Sequence, residues 1–203
     1  RHAELALPWA DALLAEAGIA RSRLDAIAVG RGPGAFTGVR LAIALAQGIA
    51  LALDRPVVPV STLAVLPAGA GADGPGRTMA ATDARMGEAS TATYRREADA
   101  LAMLEAERVL APEAVVLPDA ADGPWQGVGT GFAAADGLLA KRAAGEVPIN
   151  ATALPHAADL ARLAAAAFAR GETLAPEFVE PAYLRDNVAL TLVEQQALRA
   201  AKK

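Results

Sequence analysis

Gly30-Arg31-Gly32-Pro33-Gly34-Ala35-Phe36-Thr37-Gly38-Val39-Arg40 is the stretch on which the fold turns. Before it, residues 25–29 are short, apolar and bounded by Gly30, as a buried strand would be. After it, residues 39–53 are long and apolar enough for a helix. A strand that runs through glycines into a helix aims backbone N–H groups and the positive end of the helix dipole at one point, which suits phosphate or another anion. Gly32, Gly34, Thr37, Gly38 and Arg40 are therefore the candidate anion or nucleotide loop, with Thr37 as the expected N-cap. Arg40 stands in the first helical turn, where its charge opposes the dipole; a bound anion or an acidic residue from elsewhere would offset the conflict. A tight strand-to-helix turn without a ligand fits the same residues, and both readings stay open.

Spacing removes two nucleotide motifs. A Walker A loop needs a lysine where Thr37-Gly38-Val39 follows Phe36. Gly30, Gly32 and Ala35 match a dinucleotide fingerprint, but the next strand, residues 56–60, ends in Ser61 and Thr62 rather than an acid. Asp54 precedes that strand and so lies at its wrong end.

The helix over 39–53 carries only two polar side chains, Arg40 and Gln47. A helix covering one face of a sheet should still show water a polar stripe, and this one has none. Ala44, Gly48 and Ala52, four residues apart, would let another helix approach closely. Residues 2–17 read as a further helix, with Leu5, Trp9, Leu13 and Glu16 on one stripe and Pro8 inside the run. Leu5, Trp9, Leu13, Arg40, Ile43, Ala44, Gln47, Gly48 and Leu51 are the expected partner interface, because an apolar surface of this size usually marks one. The alternative is burial beneath a second layer of the same chain.

Farther on, residues 78–82 and 87–95 read as a strand pair and 99–106 are ambiguous. Residues 112–117 fit helix or strand, 127–130 form a strand, and 132–144 and 157–170 form helices. Strands alternating with helices argue for an α/β fold with mixed sheets. A Gly-, Ala- and Pro-rich passage divides the chain into a first subdomain over 1–70, a linker over 71–77 and a second subdomain over 78–203. Across 203 residues the net charge is −4, which gives no general footprint for nucleic acid. Cysteines are absent, so thiol chemistry and thiolate metal sites are excluded. His2 and His156 are too far apart to form a metal motif, and no Gly-x-Ser-x-Gly elbow occurs. No apolar run reaches the roughly 18 uninterrupted residues of a membrane span. Arg1 is not a methionine and the sequence opens directly in a helical pattern, so an N-terminal piece is expected to precede it.

The eleven-residue stretch resembles the signature of the TsaB family, once called YeaZ. Gln47-Gly48, Val60-Ser61-Thr62-Leu63, Asp83-Ala84-Arg85-Met86-Gly87-Glu88 and Glu180-Pro181-Ala182-Tyr183-Leu184-Arg185 continue the match at matching spacing, over almost the whole chain. The resemblance implies a two-subdomain, ribonuclease H-like fold of the actin, hexokinase and Hsp70 ATPase type. It implies a non-catalytic subunit that pairs with a TsaD-like transferase and docks a TsaE-like ATPase in the machinery that forms threonylcarbamoyladenosine in tRNA. It also implies possible self-pairing through the same surface, a cytoplasmic location and no membrane. Contact with tRNA would be indirect or weak, and ATP would be used by the complex, with no cofactor or metal assigned to this chain. Family members begin with two or three strands bearing an Asp-Thr phosphate loop, which nothing here matches; those strands are expected to belong to the missing piece. Asp83-Ala84-Arg85 stands where active relatives have an acid, glycines and a hydroxyl residue. Asp83 and Arg85, with Tyr183 and Arg185, are thus expected to serve structure, and no residue is expected to be catalytic. Gly127-Val128-Gly129-Thr130-Gly131 resembles an adenosine-side loop. The rival expectation is an autonomous ATP-binding phosphotransferase or a peptidase-like enzyme of the same superfold.

Overall fold

A computed structural model describes residues 2–70, 76–97, 100–143, 145 and 147–184. Most of the expected linker, residues 71–75, and Arg185 of the tail motif lie outside them.

The chain opens with α1 (His2–Ala17), which passes through Pro8, then β1 (Ile27–Gly30), α2 (Phe36–Leu53), β2 (Val57–Val60) and α3 (Thr62–Gly69). β1 and β2 pair in parallel, Ile27 opposite Val57 through Gly30 opposite Val60. Their α2 side buries Val29, Val57, Ile43, Ala46 and Ala50 in one cluster. Val58 and Val60 point the other way, as alternation along a strand requires, and meet Val65 and the last helix.

The second half builds a five-stranded sheet ordered β5-β4-β3-β6-β7. β3 (Arg77–Arg85), β4 (Glu88–Glu97) and β5 (Ala100–Leu110) form an antiparallel meander. β6 (Trp125–Val128) and β7 (Ile149–Asn150) run parallel on the other side. β3 is covered on both faces, which explains why Thr78, Met79, Ala80 and Ala81 are buried in succession. Met79 and Ala81 join Trp125, Phe132 and Leu139, while Ala80 joins Leu63 and Leu66 of α3. Two helices close the described chain, α4 (Ala134–Ala143) and α5 (Ala157–Ala169), followed by a 3-10 turn over Pro176–Phe178.

Several expectations need correction. α2 starts at Phe36, not residue 39, with Ala35 at the N-cap and no side chain capping it, so Thr37 lies within the first turn. At 18 residues, α2 is long and apolar enough by length and composition alone to cross a bilayer. The helix expected over 132–144 is broken, because Ala135, Asp136 and Gly137 take left-handed backbone angles. Residues 112–117 are neither helix nor strand. Packing also departs from a division that places all of 78–203 together. α5 lies against β1, β2 and α3, and Leu174 bridges Val57, so the chain's late segments return to the first sheet. A linear boundary drawn at a glycine-rich passage carries no information about such a return.

Candidate functional site

α2 has three different sides. Ile43, at 4% exposure, Ala46 and Ala50 enter the chain's own core. The two polar residues hold the tail. Gln47 Nε2 donates to the backbone oxygens of Pro176 (2.8 Å) and Val179 (3.3 Å). Arg40 donates to the Tyr183 hydroxyl (2.9 Å) and to the Phe36 carbonyl (3.1 Å), with its guanidinium 3.4 Å from the centre of the Phe36 ring and 5.2 Å from that of Tyr183. The third side is open: Ala44, Gly48, Leu51 and Ala52 are all exposed, Leu51 at 64%. On α1, Trp9 and Leu13 are exposed at 61% and 65%, and Leu5 is half-buried. Among the described residues no α1 side chain joins a buried cluster. Beyond the helix end, Arg21 donates two bonds back to Asp11 in the middle of α1, 3.0 and 2.8 Å long.

Of the nine residues expected to meet a partner, Trp9, Leu13, Ala44, Gly48 and Leu51 are thus exposed, and Leu5 is partly buried. Ile43 is not: it points at the sheet. Gln47 and Arg40 face the tail instead, which was beyond local pattern because Pro176, Val179 and Tyr183 lie more than a hundred positions away.

The glycine loop borders a cleft of about 540 Å³, lined by residues 33–36, Val39, Arg40, residues 82–85, Ser90, Val109 and residues 181–184. The loop itself is tied down. Arg31 N–H donates to Val60 O (2.9 Å), the Gly32 carbonyl accepts from Thr62 N–H (2.8 Å), and Ala182 N–H reaches Arg31 O (2.8 Å). A methyl group on Gly34 would stand 3.0 Å from a Val39 methyl, whereas one on Gly38 would meet its nearest neighbour only at 3.7 Å. Arg40's conflict with the helix dipole is answered here by two aromatic rings, of which Tyr183 also supplies its hydroxyl. Phe36 and Tyr183 were not foreseen as its partners. An exposed aromatic four residues before an arginine on a helix is the one local signal that could have found Phe36.

Across the cleft, the end of β3 carries Asp83, whose Oδ1 accepts from Arg85 N–H (2.8 Å) and whose Oδ2 lies 3.4 Å from the Arg85 guanidinium. Thr130 Oγ1 accepts from Asp83 N–H (3.3 Å). Thr130 belongs to the loop that resembles an adenosine site, and packing accounts for that loop's glycines. A Cβ on Gly127 would sit 2.6 Å from the Phe132 ring, one on Gly129 2.2 Å from the Ala81 carbonyl oxygen, and one on Gly131 2.8 Å from the Ala81 carbonyl carbon. These glycines let the backbone press against β3. Among the described residues no group of three His, Cys, Asp or Glu side chains is arranged to hold a metal ion.

Comparison with known proteins gives consistent findings. The family model of TsaD, tRNA N6-adenosine threonylcarbamoyltransferase, matches residues 1–192. The tRNA threonylcarbamoyladenosine biosynthesis protein TsaB of Escherichia coli is 41% identical over 191 residues, covering 93% of this chain and 82% of that protein. TsaB of Haemophilus influenzae is 35% identical, covering 92% and 81%. A crystal structure from Pseudomonas aeruginosa, described as an uncharacterized protein with similarity to peptidase YeaZ, superposes with a TM-score of 0.83 at 46% identity, covering 91% of this chain and 85% of that one.

Proposed function

The chain belongs to the TsaB (YeaZ) family, with its actin-like ATPase fold, and on that premise we propose that it is a non-catalytic partner subunit in the formation of threonylcarbamoyladenosine in tRNA. In this reading the chain pairs with a TsaD-like transferase through α1 and the open side of α2, and the pair docks a TsaE-like ATPase. ATP is consumed by the assembly rather than held by this chain, tRNA contact is indirect, and the assembly works in the cytoplasm away from any membrane.

The observation that carries this reading is the open side of α2. Leu51 is mostly exposed beside Ala44 and Gly48, which have no bulk to hold a second helix off. Water is a poor neighbour for such a surface, and a protein partner with a matching apolar face removes it. Small residues four apart set the distance of approach. The same surface also fits a second copy of this chain, so self-pairing would compete with the transferase. At the cleft, Arg40 is bonded to Tyr183 and Asp83 to Arg85, an arrangement that favours structure over phosphate chemistry.

The test is reconstitution. The purified chain should form no threonylcarbamoyladenosine alone and should restore formation when mixed with the TsaD-like and TsaE-like components. Turnover of ATP or peptide by the isolated chain, abolished by Asp83→Ala, would establish the enzyme reading instead.

A further inference from the structure

The five-stranded sheet sends one buried carboxylate to the edge of the two-stranded one. Glu107 lies on β5 with its side chain only 6% exposed. Its Oε1 accepts a hydrogen bond from Ser61 Oγ and another, at 3.4 Å, from the Tyr94 hydroxyl. Its Oε2 lies 3.9 Å from the Arg31 guanidinium. Arg31 and Ser61 are the residues that directly follow β1 and β2. Ser61 also caps α3, accepting from Leu63 N–H at 3.1 Å.

That position has a general meaning. In open α/β sheets, ligands enter beyond the carboxyl ends of parallel strands, and anions favour the start of a helix. Here the place beyond β1 and β2 holds a cation, two hydroxyl donors and the first turn of α3. Such a set of groups suits a carboxylate or phosphate, and a residue of the chain itself fills it. Burial, reinforced by the Glu107 charge, pushes the Tyr94 phenol well above its ordinary range, so it stands there as a donor.

We propose that Glu107 is a built-in ligand: its carboxylate occupies an anion site made by Arg31, Ser61 and Tyr94, and so positions the glycine loop from the far sheet. The loop's first bonds lie at the same spot, Arg31 N–H to Val60 O and Thr62 N–H to Gly32 O. Without the carboxylate, Arg31 loses its buried counter-charge and Ser61 its acceptor, and both strand ends slacken together. Among the described residues Glu105, two residues away on β5, accepts from Thr93 within the same sheet, which makes it the control.

Glu107 thus acts as a positioning residue, and chemical rescue separates that role from a merely structural one. In thermal unfolding of the full chain, Glu107→Ala should lower Tm by several degrees. Formate or acetate should then restore roughly half of that loss or more, saturably and beyond the effect of chloride at equal ionic strength. The parent and Glu105→Ala should show no such anion-specific gain. Formate and acetate acting no better than chloride on Glu107→Ala would overturn the proposal. Should that variant fail to fold, Glu107→Gln keeps the shape and removes the charge. Hydrogen exchange at the amides of residues 32–37, apart from Pro33, should then rise roughly tenfold over the parent. Unchanged exchange there would overturn the proposal as well.

Discussion

Two glycine-rich segments of this chain share a spelling but not a cause. In residues 127–131 the glycines are demanded by contact: β3 and the Phe132 ring occupy the space a side chain would need. In residues 30–38 the crowding is milder, and the segment lies on the rim of a cleft. The difference teaches that a glycine pattern gives the closeness of something to the backbone but not its identity. In the later loop the close object is the protein's own core.

The largest expected effect breaks that contrast at its packed end. Gly129 combines a φ of 110° with the 2.2 Å approach to Ala81. Gly129→Ala should therefore lose about 4 kcal/mol of stability in urea unfolding. A loss below about 1 kcal/mol would show that the loop can move away from β3.

The same region responds to alkali. Tyr94 has its hydroxyl ionisation raised in the folded chain, chiefly by burial, above the ordinary value of 10.0. The stability it contributes is complete below pH 10 and declines above it, because the unfolded tyrosine ionises first. Each pH unit beyond that point should remove about 1.4 kcal/mol, and Tyr94→Phe should flatten the decline. An equal decline in Tyr94→Phe would assign the alkaline loss to other groups.

At the open end of the contrast, effects should be small and can change sign. Gly48 sits mid-helix, and beyond its chain neighbours and its own helix backbone no atom lies within 4 Å of an added Cβ. Gly48→Ala should stabilise the isolated chain by about 1 kcal/mol in urea unfolding while weakening its hold on the transferase-like partner in calorimetry. Undiminished pairing would mean that no partner backbone approaches there. Gly38, in the first turn of α2, should tolerate alanine within about 0.5 kcal/mol by the same unfolding measurement.

Local pattern made most of the architecture legible, and long-range contact limits the remainder. The strand–glycine–helix passage placed β1, α2 and β2 because alternation and turn chemistry are local. β5 was ambiguous over 99–106 because it is an edge strand whose pairing with β4 shifts register on both sides of Thr93, interrupting alternation. The break in α4 was hidden because alanines allow a helix without requiring one. For the site, the lack of a wet stripe on α2 was readable, yet the direction of Arg40 and Gln47 was not. Both of Gln47's partners and the Tyr183 partner of Arg40 come from a tail that follows α5, and no spacing rule links positions so far apart. Glu107 was missed for the same reason, since its Ser61 and Arg31 contacts join two sheets.

The proposed function assigns the open side of α2 to a second protein. The direct measurement is the affinity of this chain for the TsaD-like partner, with and without Ala44→Asp, alongside far-UV circular dichroism. One unpaired charge placed in the interface should weaken it roughly a hundredfold or more, about 3 kcal/mol, with the dichroism unchanged. Parent-like affinity in a folded Ala44→Asp variant would contradict it.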